Sequence, residues 1–280
     1  MLRLPPLPYH RLRLSVSAAR DVAPPLWPAD ALRRGLDTAA RRLAGAGALP
    51  PSFLDWWDPR VAGGNRPRPF VLRAEAPPRL SPNAALWAEL HLFGAGERLD
   101  SVRALVLDAL AHGLAGTDHA PLRLDALSVE GAAGPVWVGH GPPPRPASLA
   151  DLSVPPRGAP VAVSFPSPLQ LDKEPLPPPA LTASLLFHRA LTRLHALCRL
   201  CGVRDASRWE APGAVREFRR LEVARPRLPG AAGRGHAPLF GLVGDYGATG
   251  ETGDLGALLV AAGVMGLGRG TVMGLGRVVG

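Results

Sequence analysis

Lysine is all but missing from this chain: Lys173 is the single lysine among 32 basic residues, and the other 31 are arginine. A GC-rich genome gives that bias by itself, but arginine is also the better group for bidentate phosphate contacts and for stacking on bases. Cysteine is scarce. Two cysteines three residues apart, Cys198 and Cys201, leave no room for a disulfide framework and point to a reducing compartment. Long apolar runs are missing too, since the most apolar stretch, Leu255–Gly268, has 14 residues where a membrane helix needs about 20. The opening "MLRLPPLPYHRLRL" has no apolar core of signal-peptide length and carries Arg3, Arg11 and Arg13. These absences give the expectation of a soluble, cytoplasmic protein with no membrane partner.

What the chain has in excess is positive charge. A formal charge of +9 and a sequence pI near 11.1 call for a polyanionic partner. Its 280 residues suit one large domain or two smaller ones, and 33 prolines with 32 glycines break the chain into short elements. The stretch "HGPPPRPASLADLSVPPRGAP" (140–160) reads as a linker. Before it, "RLRLSVS" alternates Leu12, Leu14 and Val16 with polar residues, as a half-buried strand does. A helix at about 28–44 opens on Pro28, which suits a first turn. Strands at 69–76 and 86–94, a helix at 99–113 and a strand at 122–130 complete the order β-α-β-β-α-β. In the second of these strands Trp87, Glu89 and His91 face outward. After the linker come a strand at 160–165, a helix at 180–201, strands at 216–225 and 239–246, a helix at 251–263 and a glycine-rich tail. The fold expected is α+β, as two tandem ferredoxin-like (βαββαβ) modules of the RRM-like kind. Residues 1–150 form the first, with the proline-rich linker trailing it, and 151–280 the second.

The tail, "GVMGLGRGTVMGLGRVVG", contains VMGLGR twice, starting eight residues apart. It is neither a Walker loop nor a dinucleotide fingerprint, because it lacks lysine and no helix follows it to aim an N-terminus at phosphates. Read from Gly266 it is G-Φ-G-x5-G-x-G: Gly266-Leu267-Gly268, five residues that include Arg269, then Gly274-Leu275-Gly276. Glycines there allow close approach of an RNA backbone, successive amides can form an anion-binding concavity, and Arg269 and Arg277 bracket it with charge. This pattern resembles the C-terminal glycine-rich loop of the RAMP superfamily, and within it the CRISPR repeat-RNA processing endoribonucleases. "PPLWPADALRRGL", "LHLFGAGERL", "FPSPLQL" and "PLFGLVGDYG" extend the resemblance in family order.

The resemblance implies binding of CRISPR repeat RNA and its cleavage into guide RNAs, without cofactor or metal. The 2′-OH of one nucleotide attacks its own 3′ phosphate, leaving a 2′,3′-cyclic phosphate and a 5′-OH. It also implies contact with other CRISPR effector-complex subunits. A second reading from the same resemblance is a non-catalytic RAMP subunit that holds or caps crRNA. RNA contacts are expected from Arg33 and Arg34 on the first helix, from Arg225, Arg227 and Arg234 in "RPRLPGAAGRGHAPLFG", and from Gly266, Gly268, Arg269, Gly274, Gly276 and Arg277. Family members often carry a histidine in or just before the first helix, but residues 26–44 hold none. His236, in the arginine-rich stretch, is therefore the first choice for a catalytic histidine, and His10 with Tyr9 as acid is the second. The C-x-x-C pair lies on the stripe Phe187, Leu191, Leu194, Cys198, Cys201, which reads as core rather than as a metal site. His188, Thr192, His195 and Arg199 form a solvated or partner-facing stripe beside it.

Overall fold

In a computed structural model the chain is described over residues 3–25, 27–59, 67–114, 117, 120–131, 134–137, 144–172, 174–225 and 240–280. It divides into two units, Tyr9–Ala147 and a second made of Ser148–Gly280 together with Met1–Pro8.

The first unit starts from the alternation seen in the sequence. In β1 (Pro8–Ala18) the side chains of Leu12, Leu14 and Val16 are buried on one face. The helix α1 (Pro28–Gly45) has Pro28 in its first turn and buries Leu32, Leu36, Ala39 and Ala40. A short helix α2 (Pro51–Trp57) follows, then β2 (Phe70–Glu75), β3 (Leu86–Phe93), α3 (Leu99–Ala111), β4 (Leu122–Gly131) and β5 (Gly134–Trp137). The antiparallel sheet runs β2-β3-β1-β4-β5. Its first four strands have the order that the split β-α-β pattern demands, with β1 between β3 and β4. Packing of α1 on α3 is close at Gly35, where a Cβ would fall 3.5 Å from Ala109 Cβ of α3 and 2.9 Å from Leu114 Cδ2 just beyond it. Aromatic residues of α2 fill the end of this layer, with Trp57 stacked on Phe70 at 4.3 Å between ring centres.

After the two-residue β6 (Ala147–Ser148), the second unit runs β7 (Val161–Leu169), α4 (Ala183–Leu200), β8 (Val215–Ala224), β9 (Gly241–Gly250) and α5 (Leu255–Met265). Thr182 caps α4 by accepting a hydrogen bond from the Leu185 amide at 3.1 Å. The sheet order is β7-β9-β8. The fourth strand of a full ferredoxin-like module is replaced here by the tail, which joins the free edge of β7 through isolated bridges, Gln170 with Arg269 and Ser164 with Val279. The core of this unit lies between the sheet and α5, a helix apolar on nearly every side, with Leu255, Leu258, Leu259, Ala261, Ala262 and Met265 all buried. No helix among the described residues is long and apolar enough to cross a membrane.

Candidate nucleic-acid interface

The glycine-rich tail is a folded plate built against β7. At the end of α5 the chain turns at Gly266 (φ 66°), whose amide donates to Ala262 O at 2.9 Å. The two leucines of the repeated G-L-G units, Leu267 and Leu275, are buried in the core. Leu267 N donates to Gly276 O at 2.9 Å, so the two repeats close on each other. Between them a single turn of 3₁₀ helix over Thr271–Met273 is flanked by Gly270 (φ 69°) and Gly274 (φ 83°), both left-handed. The β7 edge supplies the rest: Arg269 N donates to Gln170 O at 2.7 Å, Gly276 N to Pro168 O at 3.0 Å and Arg277 N to Ser167 Oγ at 2.9 Å. The motif "FPSPLQL" makes this docking possible. Pro166 and Pro168 have no N–H to continue the ladder, the β7–β9 register shifts between Phe165 and Leu169, and the carbonyls and Ser167 hydroxyl there receive the tail.

Close approach of RNA is thus not what first requires glycine in this loop. A Cβ at Gly276 would lie 1.8 Å from Leu267 O, and one at Gly268 2.4 Å from Gln170 O, both at positive φ. The expected row of outward amides is also shorter than the sequence implied. The amides of Leu267, Arg269, Met273, Gly274, Leu275, Gly276 and Arg277 are all bonded inside the protein. What the loop presents outward is the exposed Arg269, the half-buried Arg277 and the tip of the 3₁₀ turn.

Sequence reasoning missed the residue that holds this plate from behind. Arg193, on α4, donates from Nε to Met265 O at 3.3 Å and from Nη2 to Thr271 Oγ1 at 3.2 Å. It thereby caps α5 and pins the turn, as a cation at a helix C-terminus does. Burial lowers its pKa to about 10. No periodicity in "ALTRLHAL" marks it, because both partners lie more than seventy residues further along the chain.

The first-helix arginines differ from one another. Arg33 commits Nε and Nη2 to Asp30 Oδ1 (2.9 and 2.7 Å) and Nη1 to Asp37 Oδ2 (2.8 Å), so its guanidinium is taken up within the protein. Asp37 also accepts from Trp57 Nε1 at 3.0 Å and from the buried Arg68 at 2.6 Å, and Arg68 continues to Asp58. Arg34 is anchored through Nε to Asp30 Oδ2 at 2.7 Å, its one ion pair among the described residues, and is 42% exposed, which leaves the rest of its guanidinium outward. Arg33 is therefore a structural residue in this geometry, and Arg34 is the one able to meet a phosphate.

Tyr9 and His10 do not form a pair. Adjacent strand residues point to opposite faces, and His10 points to the core side with Leu12 and Leu14, at 2% exposure. Its Nε2–H donates to Pro144 O at 3.0 Å, and Nδ1 is buried with no partner among the described residues. Burial lowers its pKa, against a smaller upward effect of the Pro144 hydrogen bond. A buried neutral imidazole cannot reach a ribose hydroxyl. Tyr9 lies on the other face, 6.0 Å from the His91 ring and 6.2 Å from Phe93. His91 faces outward as its strand position implied but is not solvated: it is buried, with Nε2–H donating to Glu89 Oε1 at 2.6 Å. Glu89 also accepts from Arg11 at 2.6 Å and Arg73 at 3.1 Å. Burial alone would raise its pKa, but His91 and Arg11 outweigh it and hold the carboxyl well below its ordinary value. His236, Arg227 and Arg234 lie outside the described residues; Arg225 is exposed just beyond β8.

Cys198 is buried and Cys201 partly so, and burial raises their thiol pKa values to about 12 and about 11. Among the described residues no group of three or more His, Cys, Asp or Glu is placed to hold a metal ion. His195 bonds to Asp205 at 3.1 Å.

Residues 163–278, from β7 to the end of the tail, match the family model of the CRISPR-associated endoribonuclease Cas6. No curated protein matches the chain. Solved structures match it almost end to end. A Cas6 (TTHB231) product complex, from Thermus thermophilus, is 21% identical, with a TM-score of 0.53 over 97% of this chain and 98% of that one. A Cas6 (TTHA0078) substrate mimic complex is 20% identical with the same TM-score and coverage. A CRISPR associated protein Cas6 with only 10% identity still gives a TM-score of 0.51 over 97% of this chain and 98% of that one. The tandem ferredoxin-like fold of Cas6 thus runs through the whole chain, and the sequence likeness concentrates in the module that carries the loop.

Proposed function

We propose that this Cas6-like chain binds CRISPR repeat RNA and cuts it into guide RNAs, by attack of a 2′-OH on its own 3′ phosphate without a metal ion. The observation that carries the reading is the Cas6 family match over residues 163–278, which takes in β7, the glycine-rich loop and both of its arginines. Arg269 and Arg277 hold phosphates at the loop, joined by Arg225, Arg227 and Arg234 after β8; in the other unit, Arg34 on α1 makes a phosphate contact of its own. Since most loop amides are bonded internally, the side chains and the turn tip supply the anion contacts. A base must take the 2′-OH proton and an acid must protonate the leaving 5′ oxygen. His236 is the residue assigned to this work, with a rate contribution of about 10²–10⁴-fold.

Two observations support a non-catalytic subunit that holds crRNA: residues 26–44 lack a histidine, and His10 is buried. The two readings separate in one experiment. Repeat RNA incubated with the protein in EDTA should yield a 2′,3′-cyclic phosphate, and a single 2′-deoxynucleotide upstream of the cut should abolish cleavage while binding persists. His236→Ala should slow cleavage about 10²-fold or more at nearly unchanged affinity. Cleavage that needs added metal removes the mechanism. Tight binding with no cut in intact RNA favours the holder.

A further inference from the structure

A second arginine cluster lies in the same unit, around a groove whose lining includes none of the loop residues. A groove of about 910 Å³ is lined by Arg3, Arg157, Arg204 and Arg208, together with Leu4, Pro5, Pro6, Val154, Pro155, Pro156, Ala206 and Ser207. Four guanidinium groups line it and no carboxylate does. Its walls are fixed by hydrogen bonds. Ser207 Oγ donates to Arg3 O at 3.1 Å, and Arg157 Nη2 donates to Arg208 O at 3.3 Å. Between Arg204 and Arg208, Asp205 accepts from the Ser207 amide at 2.9 Å and from Trp209 Nε1 at 2.7 Å. Asp205 is buried in this role, and the hydrogen bonds of Trp209 and Ser207 outweigh its burial to hold its pKa below the ordinary value. With Asp205 turned inward, the segment presents Arg204, Ala206 and Arg208 outward on alternate positions.

The four arginines are not equivalent. Arg157 is neutralised by Asp254 at 2.9 Å and Glu210 at 2.8 Å and serves as a strut. Arg3, Arg204 and Arg208 are exposed and have no ion-pair partner among the described residues. Three uncompensated like charges around one concavity focus a positive potential into it. The proline and leucine walls give an apolar surface between the charges, which suits sugars and bases rather than an isolated ion. The volume lies near the top of the ~300–1,000 Å³ range that accommodates a drug-sized ligand, room for a few nucleotides of one strand and not for a duplex.

We propose that this groove grips the phosphodiester backbone of a single-stranded RNA segment flanking the part of the repeat held at the glycine-rich loop. The proposal rests on the RNA-binding reading above, and the test distinguishes failure of either. Full-length protein is titrated by fluorescence anisotropy, at several salt concentrations, with a minimal repeat RNA and with the same RNA extended by ten uridines at either end. The wild type should bind one extended RNA more tightly, with a log–log salt slope steeper by about 2, since each single-strand phosphate contact changes it by about 0.7. The combined variant Arg3→Gln, Arg204→Gln, Arg208→Gln should bind the minimal RNA as the wild type does and lose the extra slope. Lysine at the same three positions should restore most of it, which also shows that the glutamine protein lost charge rather than its fold. An extension effect of equal size in the glutamine variant overturns the groove and leaves the loop reading intact. Failure of the wild type to bind the minimal RNA overturns both. Polyglutamate competing more strongly than oligouridine for the groove overturns it in favour of an acidic protein partner.

Discussion

At position 276 a single methyl group decides whether the loop can close. Gly276→Ala places a Cβ 1.8 Å from Leu267 O at a φ of +67°, where an L residue already costs about 1–2 kcal/mol before any clash. The variant should melt well below the wild type and lose RNA binding with it. Gly45→Ala is the contrast. That glycine ends α1 with nothing within 4 Å of the added Cβ, so alanine should stabilise by up to about 1 kcal/mol. Thermal unfolding of the two proteins side by side checks both signs. The repeated glycines were legible in the sequence as a motif, but their reason was not. At Gly276 and Gly268 the clash partner is a backbone oxygen distant in the chain, that of Leu267 or Gln170, brought there by the fold. His10 offers a titration at the same scale. Its pKa is lower in the folded chain than the ordinary value of 6.5, so the unfolded chain binds the proton more readily. Stability from this residue is present above about pH 6.5 and is lost as pH falls through the folded pKa. His10→Gln keeps an N–H for Pro144 O and cannot titrate, so denaturant midpoints should fall less between pH 7 and pH 5 than in the wild type.

Elements were easier to read than the bonds that tie them. The alternation of Leu12, Leu14 and Val16 and the apolar stripe around Phe187, Leu194 and Cys198 place β1 and α4 from sequence alone, because burial imposes periods of two and of three to four residues. The helix α2 has no counterpart in the sequence reading, which assigns nothing between the first helix and β2, although Pro51 occupies a first-turn position where proline is favoured. The strand β5 is only four residues long, too short for any period to show. Arg193 belongs to this scale because it couples α4, α5 and the loop through two long-range hydrogen bonds. Hydrogen bonds from a charged group contribute about 1.5–3 kcal/mol each. Arg193→Met should therefore raise amide exchange at Leu267 and Leu275 by about tenfold or more and weaken RNA binding. The amides of the middle of α4 should keep their protection. Equal loosening of α4 would mean that the arginine supports the helix pair rather than the loop.

For the molecule as a whole, the division of the chain is not the division of the sequence. Met1–Pro8 belongs to the unit made of Ser148–Gly280, with Leu4 and Leu7 buried and the Leu149 amide bonded to Leu7 O at 3.1 Å. A boundary drawn at the proline-rich stretch cannot reveal this, because eight residues carry no periodicity that names their partner. Leu7→Ala should cost about 2–5 kcal/mol, as truncation of a fully buried leucine does. Hydrogen exchange should place that loss in β7, α4 and α5 while β1 to β4 keep their protection. The same interleaving sets an order of events on the ribosome. The unit Tyr9–Ala147 has all of its residues once Ala147 has emerged, whereas the other unit cannot seat Leu4 and Leu7 until its strands and helices beyond Ser148 are made. At about 5–20 residues per second that leaves two large leucines waiting for several seconds or more, so side chains made before β1 settle only after β7 to α5 have followed them.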